Sequence, residues 1–149
     1  MDKKEALEIV KNNGLKLKDL PDHFKKDQEI VLEALKEWGG ALEFADETLK
    51  KDKEIVLEAV KRSGTVLQHA DETLKKDKAF VLKLVKVWGL NLEFADETLK
   101  KDKEIVLEAV KQWRGALEFA DDSLKKDSDI IKAVNDDIKK VSDMIKGSK

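Results

Sequence analysis

The stretch Leu42-Glu43-Phe44-Ala45-Asp46-Glu47-Thr48-Leu49-Lys50-Lys51-Asp52-Lys53-Glu54-Ile55-Val56-Leu57-Glu58-Ala59-Val60-Lys61 recurs without a change at 92–111. Between the two lies LQHADETLKKDKAFVLKLVK at 67–86, and looser copies start at Leu17 and Leu117. The period is therefore 25 residues, and the triplet Lys-Lys-Asp keeps it throughout, at 25–27, 50–52, 75–77, 100–102 and 125–127. A fixed period of this length marks a stacked-repeat architecture, in which each unit is one supersecondary element. Identity over so long a stretch points to recent duplication or deliberate construction.

At 100° per residue the unit separates into two helical stripes. In the second, helix B, Ile55, Val56, Leu57, Ala59 and Val60 cover roughly 200° of the wheel. Asp52 stands where an N-cap belongs, Glu54 puts negative charge in the first turn, and Gly64 is expected as a left-handed residue closing a helix over about 53–63. In the first, helix A, Ala41, Leu42, Phe44, Ala45, Thr48 and Leu49 share one face over about 41–50. Pro21 occupies the position of Asp46, and proline is comfortable only in a first turn, so the alternative is a break after Ala45 into 41–45 and 47–51.

Two short helices cannot bury so wide an apolar arc by themselves, and isolated helices of this length are marginal in water. Neighbouring units must supply the cover. The expectation is an all-α fold, an α-solenoid of tandem 25-residue helix-turn-helix repeats with a longer C-terminal capping helix. The single domain divides into an N-terminal half-repeat cap at 1–14, repeats at 15–39, 40–64, 65–89, 90–114 and 115–139, and an extended helix at 128–146 capped by Asp127. In that helix Ile130, Ile131, Val134, Ile138, Val141 and Ile145 continue one stripe. Its overhang is expected to fold back over the final repeat, or else to offer an apolar face to a partner.

Composition agrees with a helical, folded chain. Of 149 residues, 41% are apolar and 42% charged, with one Pro, seven Gly and eight aromatics (five Phe, three Trp and no Tyr). Thirty Lys and Arg against 32 Asp and Glu leave a net charge of −2, which gives no global attraction to nucleic acid or anionic membrane. Cysteine is absent, which excludes disulfides, cysteine nucleophiles and thiolate metal sites. No apolar run approaches the ~20 residues of a membrane span and the start lacks a signal-peptide pattern, so a cytoplasmic location is the default expectation.

Three features invite a functional reading. Trp38, Trp88 and Trp113 hold one equivalent position, occupied by Asn13 and Ser63 in other copies. On the wheel that position falls inside the apolar stripe, which predicts a plug closing the last turn of helix B. The competing reading is a row of aromatic anchors for a protein or peptide. The lysine pairs, with Lys50, Lys51, Lys75, Lys76, Lys100 and Lys101 at their centre, draw a basic ladder that an anionic polymer could follow. Against this, Lys26, Lys51, Lys76, Lys101 and Lys126 each lie four residues after an acid, in the order that pairs favourably on a helix. His23 and His69 lack a paired ligand, and Asp127-Ser128-Asp129 lacks the later glycine and glutamate of a calcium loop. Gly39-Gly40 reads as a helix-ending turn. No acid and base pair stands apart, so no catalytic residue, metal or cofactor is expected and the protein is not expected to be an enzyme.

The pattern Ala41, Leu42, Phe44, Ala45, Asp46, Leu49, Asp52, Ile55, Val56, Ala59 and Val60, repeated over nearly the whole chain, resembles a 25-residue helical repeat family of unknown function found in bacterial and protist proteins, including secreted bacterial effectors. Departures are Asp19-Leu20-Pro21 for Phe-Ala-Asp, His69 for Phe, and the overrunning C-terminal helix. The resemblance implies a repeat scaffold, allows secretion as an effector, and carries over no catalytic residue. The expected role is non-enzymatic recognition of another protein or peptide, with no nucleic acid or membrane partner, by a monomer or a weak homodimer formed through the C-terminal helix. The alternatives are a purely structural or engineered array without a ligand, and binding of anionic polymers along the lysines.

Overall fold

The computed structural model describes residues 1–148. Among them every regular element is helical. Ten-residue helices recur at α1 (Lys3–Asn12), α3 (Gln28–Glu37), α5 (Lys53–Arg62), α7 (Lys78–Val87) and α9 (Lys103–Gln112). Single-turn helices precede them at α2 (Asp22–Lys25), α4 (Glu47–Lys50), α6 (Glu72–Lys75) and α8 (Glu97–Lys100), and α10 (Ser128–Gly147) closes the chain. Segments of 3₁₀-helix fill the remainder of each unit, at Gly14–Asp19, Gly39–Phe44, Val66–His69, Gly89–Phe94 and Arg114–Phe119, with a further turn at Asp122–Leu124.

Helix B thus exists as expected, with an aspartate at its start. The Asp52 carboxylate accepts the backbone N–H groups of Glu54 and Ile55, two donors that the first turn leaves without a helical partner. Helix A is not continuous. It is a 3₁₀-helix and a single α-turn, separated by extended residues at Ala45 and Asp46. The reason lies between repeats: the Asp46 N–H donates to the Lys25 carbonyl of the preceding unit at 3.0 Å, and Asp71, Asp96 and Asp121 do the same to Lys50, Lys75 and Lys100. A continuous helix would consume that donor internally. Pro21, which has no N–H, takes this position in the first copy, so no such bond is made there.

The long helices stack in chain order and the 3₁₀ segments stack beside them, so that α9, for example, packs on α7, α10 and the segments 89–94 and 114–119. One apolar cluster runs the length of this two-layer array, and Leu17, Ile30, Leu42, Ile55, Leu67, Leu92, Ile105 and Ile130 are wholly buried in it. Charged links stitch the helix starts together. Lys3 reaches Asp27 and Glu29, Lys53 reaches Asp77, Lys78 reaches Asp102 and Glu104, and Lys103 reaches Asp127 and Asp129, all between 2.6 and 3.0 Å. The Lys3 ammonium holds the Asp27 carboxyl below the usual carboxylate range.

No glycine adopts a positive φ. Gly64 is therefore not the left-handed cap expected, and the helix ends instead at Ser63 in extended conformation. Glycine is required in this register by close approach: a Cβ on Gly14, Gly39 or Gly89 would collide with the carbonyl oxygen of Ala34, Ala59 or Ala109 in the next long helix. Arg114 takes the register position in the last copy. The C-terminal helix does not fold back: α10 is one helix whose first half lies on α9, burying Ile130, while its second half runs past it.

Candidate interaction edge

The C-terminal ends of the long helices form one edge of the array. Each of Trp38, Trp88 and Trp113 is the residue at which a long helix stops, with φ between −141° and −155° and ψ near 110°. That backbone explains why the plug reading fails. The helical wheel no longer applies at an extended residue, and the side chain turns out of the apolar stripe. Relative exposures are 40% for Trp38, 48% for Trp88 and 43% for Trp113. The backbone is meanwhile fixed, since the Trp38 N–H donates to the Ala34 carbonyl and the Trp38 carbonyl accepts from Ala41.

Two arrangements hold the indoles. Trp38 and Trp113 lie over Gly40 and Gly115, where a Cβ would collide with the ring, and their rings stand 6.2 Å from those of Phe44 and Phe119. The fourth copy has Leu90 at the equivalent position, and Trp88 leans instead on Gly64 of the preceding unit, at 3.3 Å from a Cβ built there. The edge is contiguous: a Cβ on Gly89 would lie 3.3 Å from the Trp113 nitrogen, and one on Gly14 3.2 Å from that of Trp38. Ser63 interrupts the row between Trp38 and Trp88.

Charge on this edge is uneven. Lys36, Lys61 and Lys111 in the last turns of α3, α5 and α9 are each paired with Glu33, Glu58 and Glu108. In α7 the acid is replaced by Lys83, and among the described residues neither Lys83 nor Lys86 has an acidic partner within ion-pair distance. Val87, next to Trp88, is 42% exposed. Val87, Trp88 and Trp113 with these two lysines make an apolar and basic patch that the other repeats lack.

The lysine ladder is arranged differently from the expected acid-to-lysine spacing of four. Lys50, Lys75 and Lys100 bond Glu47, Glu72 and Glu97 three residues earlier at 2.8 Å, and their side chains are largely covered. Lys51 lies 4.0 Å from Asp71 of the following unit. Lys76 and Lys101 stand toward Asp96 and Asp121 and help to hold those carboxyls below the usual range, behind the larger effect of Thr98 and Ser123 hydrogen bonds. The ladder is thus a line of matched charges.

His69 occupies the place of Phe44, half-buried, and burial pushes its imidazole pKa down. His23 stacks against Phe24 at 4.0 Å. One buried polar residue escaped the sequence reading. Asn91 is wholly buried, donating to the Leu84 and Trp88 carbonyls while its Oδ1 has no partner. Its signal was present as a polar residue at the position of Ala41, Val66 and Ala116. Among the described residues no three acidic or imidazole groups gather as metal ligands, and no helix is long and apolar enough to cross a membrane.

A family model described as "Domain of unknown function (DUF4116)" matches residues 2–50, 27–75, 52–100, 77–125 and 102–135. Every window begins at an aspartate that caps a long helix, Asp2, Asp27, Asp52, Asp77 or Asp102. No curated protein and no solved structure matches the chain.

Proposed function

This chain belongs to the DUF4116 family of repeats, and on that premise we propose that it is a non-enzymatic scaffold that recognises another protein or peptide through its tryptophan edge. One observation carries the reading: three indoles, each about two-fifths exposed or more, project from equivalent helix ends whose backbone is hydrogen-bonded in place. Large aromatic side chains on rigid supports are favoured binding anchors, because little conformational freedom is lost when they are covered. The patch around Trp88 and Trp113, flanked by Lys83 and Lys86, suits a segment that presents apolar side chains beside carboxylates.

The array supplies its own control, since Ser63 fills the same position and the long helix still ends there in extended conformation, with the 3₁₀ segment that follows shortened to Val66–His69. The triple variant Trp38→Ser, Trp88→Ser, Trp113→Ser is expected to fold, with each change costing well below the roughly 3–5 kcal/mol of a buried Trp. Wild-type fluorescence is expected to be red-shifted and open to acrylamide quenching. Selection from a displayed peptide library should yield acidic, aromatic-containing binders that the triple variant does not retain. Recovery of no binder specific to the wild type would leave an array without a ligand. Binders that depend on Lys51, Lys76 and Lys101, with affinity falling steeply in salt, would instead favour an anionic polymer.

A further inference from the structure

Neighbouring long helices are not joined alike. Gly14, Gly39 and Gly89 lie so close to the next long helix that a Cβ on them would fall 2.3 or 2.4 Å from the carbonyl oxygen of Ala34, Ala59 or Ala109. Gly64 makes no such approach to α7, and a Cβ there would meet only the Trp88 side chain. The equivalent residue of α7 is Leu84, wholly buried, where those other helices have alanine. A leucine at a contact fitted to alanine holds the two backbones apart, because a packed core cannot absorb the added volume. The Leu84 carbonyl that Gly64 leaves uncovered accepts instead from the Asn91 Nδ2, seven residues on in the chain, at 3.2 Å. Helices α5 and α7 are accordingly the most loosely packed of the neighbouring long helices. The segment Val66–His69, shorter than its counterparts, lies on α5 without comparable contact to α7, whereas Gly39–Phe44 lies on both α3 and α5.

The looseness is confined to one end of the joint. At the helix starts its ties are kept: Lys53 reaches Asp77 at 2.6 Å, and the Asp71 N–H donates to the Lys50 carbonyl at 3.0 Å. Exposed ion pairs do not set the order of the joints, since Gln28 removes the lysine link between α3 and α5 altogether and those helices still close through Gly39. At the helix ends Trp88 reaches across to lean on Gly64, and Ser63 supplies no ring from the other side. We infer that the array is two rigid bodies, α1 to α5 and α7 to α10, hinged between α5 and α7, tied at the helix starts and opening at the tryptophan edge, with Trp88 as the clasp. In a stack of repeats stability is a sum that includes each interface between units, so the loosest interface yields first. Trp38 stands on one body and Trp88 and Trp113 on the other, so a molecule lying against all three indoles would fix the hinge. The hinge itself does not depend on what the edge binds.

The chain has no cysteine, so pairs of nitroxide labels can be attached to introduced ones. Equivalent positions on packed neighbouring helices stand about 10 Å apart, close enough for dipolar broadening. Arg62→Cys with Val87→Cys reports the helix ends across the hinge, Glu54→Cys with Ala79→Cys the helix starts across the same joint, and Val87→Cys with Gln112→Cys the helix ends across the next joint; all five positions are exposed. The expected result is a spread of distances about twice as wide for the first pair as for the other two. Trp88→Ser is expected to widen the first pair further, and Trp113→Ser to leave it unchanged. In a second measurement, on the unlabelled chain, hydrogen exchange is expected to show protection at the Ser63 and Ala70 amides about tenfold below that at the equivalent Trp38 and Ala45, and Trp113 and Ala120. Three results overturn the proposal: equal spreads at the three pairs, a first pair that Trp88→Ser does not widen, or equal protection at the equivalent amides.

Discussion

Helices α9 and α10 begin alike and end differently. Each starts after an aspartate cap, at Asp102 and Asp127, and each buries its first isoleucine completely, Ile105 and Ile130. One residue later they part: Val106 is wholly buried and Ile131 is 40% exposed. The side chains are nearly the same, and what differs is the neighbourhood. Helix α9 ends at Trp113 and the backbone turns back as the 3₁₀ segment 114–119, which lies against α9; at the equivalent Ile138 helix α10 simply continues. In a stacked array burial is conferred by the adjacent unit, and a residue's own hydrophobicity only makes it available.

The largest test of that comparison substitutes equivalent isoleucines. Ile105→Ala is expected to cost about 2–5 kcal/mol in chemical denaturation, as cavities in packed cores do, and Ile131→Ala less than about 1 kcal/mol in dilute solution. Equal costs would mean that α10 is covered in a way the structure does not contain.

Glycines sharpen the same contrast. Gly89→Ala drives a Cβ into the Ala109 carbonyl of α9 and should cost about 1–3 kcal/mol, because backbone rather than a flexible side chain must move. Gly147→Ala at the end of α10 meets nothing within 4 Å and should raise stability slightly, by at most about 1 kcal/mol. Thermal melts of the two variants should therefore shift in opposite directions.

The link between repeats can be cut without changing backbone shape. Asp46 has φ −60° and ψ 148°, and Pro21 at the equivalent position has φ −55° and ψ 149°. Asp46→Pro removes the N–H that reaches Lys25 and the carboxylate that accepts from Thr48, an expected loss of about 1–2 kcal/mol. Pro21→Ala, where there is no bond to lose, should change stability by less than about 1 kcal/mol.

Smaller effects are expected at the two polar departures. Asn91→Ala deletes a buried carbonyl oxygen without a partner, and both carbonyls it donates to also accept a backbone N–H, from Trp88 and Asn91 itself. The melting temperature should stay level or rise, since the lost amide bonds and the removed desolvation penalty are of similar size, about 1–3 kcal/mol. For His69 burial lowers the folded pKa below 6.5, so as pH falls through 6.5 the unfolded chain takes up more protons than the folded one. Wild type should accordingly lose a little more stability than His69→Phe between pH 7 and 5, measured as the difference between parallel melts.

The sequence carried much of this through repetition. Identical residues at 42–61 and 92–111 dictated identical local structure, the aspartates announced the helix starts, and the 25-residue period required a stack, because each unit was too small to bury its own apolar face. Pro21 already hinted at the broken first helix. The position of the tryptophans was legible, but their exposure was not, since a wheel drawn one residue too far places them inside the stripe.

What the sequence determined by itself was everything set within one unit: the period, the caps and the apolar positions. Tertiary structure alone decided what depends on the space between units. It split helix A to join one repeat to the next, required glycine through a neighbouring carbonyl rather than a turn, and left the second half of α10 exposed, because hydrogen bonds and contacts across repeats are made by groups that stand about 20 residues apart in the chain yet touch in space.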